Sequence, residues 1–312
     1  MIAAAPAGAV KINAARAVAV FGAVLLVLVW VGIVASLVSE RRRVVVDARA
    51  DTANLVRAFD EHIQRTIAGL DQTLLYLRAE FQQAPDRFDL NRSVANNVIL
   101  KRVSVQIARI GADGWLADSN VPGFQRMDLS DREHFRVHRQ GGPDQLFVSK
   151  PVLGRASGKW SIQLTRRLVD GSGDFAGVLV ISLDPNYLGE IYGSIDVGRD
   201  GAIALVGTDG VVRVASHGGH FLGQSLEGGV LRDAVQNHQA ITLEGHGPLD
   251  GTERIISVRP LPSLPLSVMV GRSKAEVLGV FDRAVAWHLI IGGAVTVALG
   301  AALIVLYRMV RA

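Results

Sequence analysis

The chain has 312 residues, 49% of them hydrophobic and 20% charged, and its mean hydropathy of +0.28 is more than one soluble domain of this size needs for its core, so part of it is expected in a membrane. With no cysteine, disulfides, thiolate metal sites, iron–sulfur clusters and a cysteine nucleophile are excluded. The net charge of +4 and pI near 9.7 would suit a nucleic-acid binder, but the placement of the charge argues otherwise.

Residues 1–16 are a short tail that carries Lys11 and Arg16. Ala17–Val38 then runs without a charge, about 33 Å as a helix, enough to cross a hydrocarbon core of about 30 Å. It is longer than the apolar core of a signal peptide, which favours an uncleaved anchor. A second uncharged run apart from His288, Ala284–Leu306, has Trp287 and Tyr307 near its ends, where aromatic belts sit at membrane interfaces. His288 lies just inside it beside Trp287, close enough to the interface to meet water.

All 29 acidic residues lie between the two runs, and the bases beyond that balance are Lys11, Arg16, Arg308 and Arg311 on the tails. This is the positive-inside pattern with both termini cytosolic. It makes the high pI a topology signal and gives no reason to expect a nucleic-acid partner. Arg41, Arg42 and Arg43 follow the first run on the side assigned outside, where they can snorkel to headgroups.

Residues 39–84 read as one long helix. Val56, Phe59, Ile63, Ile67, Leu70, Leu74, Leu77 and Phe81 recur at gaps of three and four, an amphipathic stripe of coiled-coil type. It is either a rod for transmitting displacement or a spacer or core helix of the domain. Past Pro85 the pattern changes to short strands. Arg109–Asn120 (RIGADGWLADSN) and Leu205–Ser216 (LVGTDGVVRVAS) each place Asp-Gly between apolar stretches, as in hairpins whose central residues need positive φ. Asp113 and Asp209 are 96 residues apart, and Gly158–Leu168 lies over Gly251–Leu261 at an offset of 93. FAGVLVISL and LPLSVMVGR follow in the same order, so two tandem modules of like topology are expected, over 85–190 and 191–273. Ser130 with Glu133 and Ser273 with Glu276 fit capping boxes. The second opens a helix, 274–283, that leads into the second apolar run, 284–306, and the tail 307–312.

The long helix, DREHF at 131–135, LFVSKPVLGRASGKWSIQLTRRL at 146–168, FAGVLVISLDPNYL at 175–188, IDVGRDGAIALVGTDGVV at 195–212 and the closing DGTERIISVRPL together resemble the double Cache family. These are the tandem PAS-like extracytoplasmic sensors of bacterial transmembrane receptors, in the variety found ahead of diguanylate cyclases. The resemblance covers roughly residues 40–280. It implies an α+β fold with a long N-terminal helix and two PAS-like antiparallel-sheet modules, flanked by two transmembrane helices. It further implies a small-molecule site in the membrane-distal module and a transmitting role for the proximal one. In the amino-acid-binding branch an arginine is followed by two aromatics, and a later strand supplies an aspartate for the ligand's amino group. Arg132 and Phe135 match, while His134 replaces one aromatic and Ser182 stands in place of the aspartate, which points away from an α-amino acid.

Arg132, His134 and Lys150, with Trp160 and Arg166 on one strand face, form a candidate pocket for a small anionic ligand, guanidinium and ammonium for its charge and indole for its apolar part. Alternatively, Trp160 is core and Arg166 a surface charge. His134 with His138, or His217 with His220, could hold a metal only with a third ligand that spacing does not supply, and ordinary surface histidines are the simpler reading. The chain has no G-x-S-x-G, H-E-x-x-H, P-loop or G-x-G-x-x-G signature. No enzyme activity and no cofactor are expected. Gly292, Thr296 and Gly300, Ala294, Ala298 and Ala302, and Gly32 with Ser36 recur every four residues, a spacing that lets membrane helices approach closely and fits a homodimer. The resulting expectation is the sensor portion of an inner-membrane receptor, periplasmic between two spans, with a cytoplasmic output that this sequence lacks. Its rivals are a membrane-tethered binding or scaffold protein and a tethered enzyme.

Overall fold

A computed structural model describes residues 7–193, 195–216 and 221–311, so the His217 and His220 pair lies outside the described residues. The chain divides into two compact units, Met1–Ala48 with Lys274–Ala312, and Arg49–Ser273. Helix α1, Ala7–Gln83, runs without a break because no proline interrupts it before Pro85, whose ring disfavours helix at Ala84. Helix α7, Lys274–Arg311, starts directly where strand β10, Leu266–Ser273, ends. Both helices contain stretches long and apolar enough to cross a membrane.

In the first unit two of the small residues serve contacts within the chain. Trp30 Nε1 donates to Thr296 Oγ1 at 3.1 Å, and a Cβ built on Gly292 would lie 2.6 Å from Ile33 Cδ1. The stripe expected to face a second copy thus meets the chain's own first apolar helix at Gly292 and Thr296, while Gly32 and Gly300 have open space around them.

The second unit holds two five-stranded antiparallel sheets. The first is ordered β2-β1-β5-β4-β3, with β1 Ser104–Gly111, β2 Leu116–Ser119, β3 Phe147–Leu153, β4 Trp160–Val169 and β5 Phe175–Leu183. The second is ordered β7-β6-β10-β9-β8, with β6 Ala202–Gly207, β7 Val212–Ala215, β8 Ile241–His246 and β9 Glu253–Pro260. The two orders are the same, as the sequence repeat requires. Short helices α2 Leu90–Val94, α3 Val98–Val103, α4 Glu133–Arg139, α5 Pro185–Gly193 and α6 Val230–Gln236 join and cover them.

Each sheet has two covered faces. One face of both sheets shares a single core with α1, where all eight residues of the stripe, Val56 to Phe81, are buried with Ile107, Leu164 and Ile181 of the first sheet and Ile203, Leu205 and Val268 of the second. The stripe therefore serves the domain's own core and not a coiled-coil partner. At about 1.5–3 kcal/mol per buried side chain, that face stabilises the domain more than any exposed pairing of the helix would. The opposite faces carry separate clusters, around Phe135 in the first module and around Leu231 and Val235 in the second. Central strands β5 and β10 are buried almost throughout because side chains of both parities meet protein.

Two local expectations are corrected. In each Asp-Gly hairpin only the glycine, Gly114 or Gly210, takes positive φ. Gly114 N bonds Gly111 O and Gly111 N bonds Trp115 O, with the same pair at Gly207, Gly210 and Val211, so the loops are three-residue turns with a glycine bulge. The Ser130–Glu133 capping box does not form. Arg132 occupies the N-cap without a side-chain cap bond, and Ser130 N donates to Asp128 Oδ1 at 2.8 Å.

Candidate functional site

On the face of the first sheet turned away from α1, even-numbered residues of β1 and β5 and odd-numbered residues of β4 point into a small cavity. Its floor is polar. Gln106 Nε2 donates to Ser119 Oγ at 2.8 Å, Gln163 Nε2 to Ser161 Oγ at 2.9 Å, and Ser182 Oγ to Gln163 Oε1 at 2.7 Å. All five of these side chains are buried, and the network fixes their rotamers. Ala108, Ile110 and Val180 are part of a larger apolar wall, and His134, Arg132 and Arg155 add polar groups to the lining.

His134, at the start of α4, is buried. Burial, then the neighbouring Arg132 and His138, lowers its pKa to about 4, so it enters the site as a neutral donor or acceptor. Arg132 Nη2 donates to Leu153 O at 3.2 Å, and burial and Arg155 push its pKa down. Arg155 sits in the β3–β4 loop, where it grips Asp131 with both terminal nitrogens, at 2.6 and 2.7 Å, and also Asp128 O. None of the described lining residues is acidic. The cavity holds about 40 Å³, well below the roughly 150 Å³ that admits benzene elsewhere.

Of the seven residues singled out from sequence, Arg132, His134 and Ser182 line this cavity. The other four lie elsewhere. Phe135 is fully buried behind it, edge-on to Phe175 at 5.7 Å between centroids. Lys150 is exposed, with Nζ 3.7 Å from Asp209 Oδ2. Trp160 and Arg166 do share a face, but it is the one toward α1, where Trp160 is half exposed. Arg166 Nε and Nη2 bond the Asp71 carboxylate, each at 2.7 Å, and Nη1 reaches Asp144. It ties β4 to the long helix.

His134 and His138 are buried and not surface histidines. Burial, partly opposed by a hydrogen bond to the Thr165 backbone, lowers the His138 pKa to about 4. Its Nε2 also lies 2.8 Å from Thr165 Oγ1, and no cluster of three metal-ligating side chains occurs among the described residues. The sequence reading missed Gln106, Gln163 and Arg155. The signal for the glutamines was present, since each is an amide inside an otherwise apolar strand, where an unpaired polar group is costly.

No protein-family model and no curated protein matches the chain. Solved structures do. The extracellular domain ascribed to a histidine kinase, rpHK1S-Z16, is 26% identical with a TM-score of 0.65, covering 75% of this chain and 98% of that one. The ligand-binding domain of the Pseudomonas aeruginosa PAO1 chemoreceptor PctB, solved with L-Arg, is 17% identical at a TM-score of 0.58, covering 74% and 97%. That of the Pseudomonas fluorescens chemoreceptor CtaA with L-isoleucine is 16% identical at 0.59, covering 77% and 98%. These likenesses, with the repeated sheet order and the shared long helix, give the segment the double Cache fold of extracellular sensor domains.

Proposed function

We propose that this chain is the sensor portion of a two-pass inner-membrane receptor, and that the cavity of its first module binds a small carboxylate without an ammonium group. The observation that carries this reading is the polar part of a largely apolar lining: two guanidinium groups, neutral amide, hydroxyl and imidazole groups, and no acidic side chain among the described residues. A carboxylate can replace Asp131 on Arg155 and take Arg132 as a second partner, both charge-assisted. Gln106, Gln163, Ser182 and neutral His134 then suit a hydroxyl or keto oxygen. The amino group of an amino acid would meet no acidic side chain in the described lining, since Ser182 stands where an aspartate would pair with it. The solved relatives with L-Arg and L-isoleucine thus share the fold, and this chain's ligand differs in charge.

In this reading the domain is periplasmic, with Lys11, Arg16, Arg308 and Arg311 holding both tails in the cytosol. The chain binds and transmits, and catalyses nothing itself. The output is a cytoplasmic domain or partner. The resemblance favours a diguanylate cyclase, and the histidine kinase relative makes a kinase the second choice. Transmission uses α1, one element from the tail to Gln83, and the splice of β10 onto α7 without a loop. Shifts of about 1–2 Å between packed helices are enough to bias a partner.

The test is thermal unfolding of the full chain in lipid nanodiscs with 2-hydroxy and 2-keto monocarboxylates, dicarboxylates and L-amino acids. A carboxylate lacking an ammonium should raise the melting temperature, and Arg132→Ala should weaken its binding about 30- to 100-fold, the worth of a charge-assisted contact. The largest shift coming from an amino acid, or a shift unchanged by Arg132→Ala, would contradict the reading.

A further inference from the structure

The strand registers align the two modules residue by residue. Gln106 pairs with Ser182 and Ala108 with Val180 in the first sheet, as Ala202 pairs with Gly271 and Ala204 with Met269 in the second. Gln163 faces Ser182 as Ile256 faces Gly271. The Gly154–Lys159 turn closes with bonds from Gly154 N to Lys159 O and from Gly158 N to Gly154 O, both 2.9 Å, and the Gly247–Thr252 turn repeats them at 2.8 and 2.9 Å.

Those counterpart residues line a second cavity, of about 90 Å³, more than twice the size of the first. Its chemistry is different. Gln106, Gln163 and Ser182 are replaced by Ala202, Ile256 and Gly271, and Ala204, Leu249 and Met269 extend the apolar wall. The one cation among the described lining residues is already paired. Arg254 bonds both oxygens of Asp250 at 2.7 Å and Asp200 O at 2.7 Å through Nε, and Asp250, unlike Asp131 at the first cavity, is itself part of the lining, so an anion there would meet a carboxylate.

We propose that this is a second binding site, in the proximal module, for a small uncharged apolar molecule of about four to six non-hydrogen atoms. The site occupies the same place in its sheet as the polar cavity does in the first, with a lining that has exchanged hydrogen bonds for apolar contact. Its volume falls below the roughly 150 Å³ that takes benzene in an engineered cavity, which sets the size. It lies against β10, the strand that continues into α7, so an occupant there sits beside the element that carries the signal in the proposed reading.

The absence of cysteine permits a direct test on the full chain in nanodiscs. Ala204→Cys places a thiol in the apolar cavity and Ser182→Cys places one in the polar cavity. Each is modified with methyl methanethiosulfonate, with and without cyclopentanol or isobutanol. The proposal expects either alcohol to slow modification of the Ala204→Cys thiol at least 10-fold and to leave the Ser182→Cys rate within 2-fold. Ala215→Cys, across the β6–β7 pair from Ala204, repeats the measurement should Ala204→Cys fail to fold. Thiols at both proximal positions that react but are not protected, that never react, or that are protected no more than the distal one would each overturn it.

Discussion

In the proposed reading His134 and Ser182 carry the chemistry that separates this cavity from one for amino acids, and His134 leaves a measurable signature. Its pKa is near 6.5 in the unfolded chain and about 4 in the folded one, so below pH 6.5 the unfolded chain takes up a proton that the folded chain refuses. Stability therefore falls as pH drops from about 6.5 to 4, by on the order of 3 kcal/mol for this group, and is flat above. His134→Gln should remove that part of the slope in denaturant titrations between pH 7 and 4. An unchanged slope would mean that His134 is not held neutral. At this scale the sequence was half legible. DREHF marked Arg132 and His134, yet parity alone assigned Trp160 and Arg166 to the pocket, because a strand's alternation tells which side chains share a face and not which face meets the ligand.

Among the elements, α1 is held by two equivalent ion pairs. Arg166 on β4 reaches Asp71, and Arg259, 93 residues later on β9, reaches Asp60 at 2.7 Å. Asp60 and Asp71 are three helical turns apart, about 16 Å, and share a face, so one arginine from each module grips the same side of the helix. Asp60 is buried, and removing Arg259 leaves its charge without a counter-ion, with Gln64 as its remaining hydrogen-bond donor. Arg259→Met should cost about 3 kcal/mol in chemical unfolding of the full chain, whereas Arg259→Met combined with Asp60→Leu should recover most of it. Failure of the double variant to recover would show that the arginine acts through packing alone. The stripe from Val56 to Phe81 was plain in the sequence, but its destination was not. Heptad-like spacing defines an apolar face, and whether a second helix or two sheets cover it depends on contacts distant in sequence.

Across the sensor unit as a whole, the two modules are joined by a buried polar route. Gln163 N donates to Ser149 Oγ at 2.9 Å, Arg213 Nε donates to Ser149 O at 3.0 Å, and Arg213 holds Asp209 with both terminal nitrogens at 2.9 Å. The floor of the distal cavity is thereby linked to the first hairpin of the proximal sheet, while β10 of that sheet leads into α7. The tandem architecture was legible because duplicated Asp-Gly turns and strands keep a constant offset. The route was not, because Ser149 and Arg213 lie in different copies and match no repeat. The account's central claim is that filling the distal cavity changes the packing of the two apolar helices. The most direct measurement is the disulfide formation rate between thiols introduced by Trp30→Cys and Thr296→Cys, whose native side chains are hydrogen-bonded, in the otherwise cysteine-free full chain in nanodiscs. With a saturating carboxylate that raises the melting temperature, the rate should change several-fold, and Arg132→Ala should abolish the change. Equal rates with and without that ligand would contradict the claim.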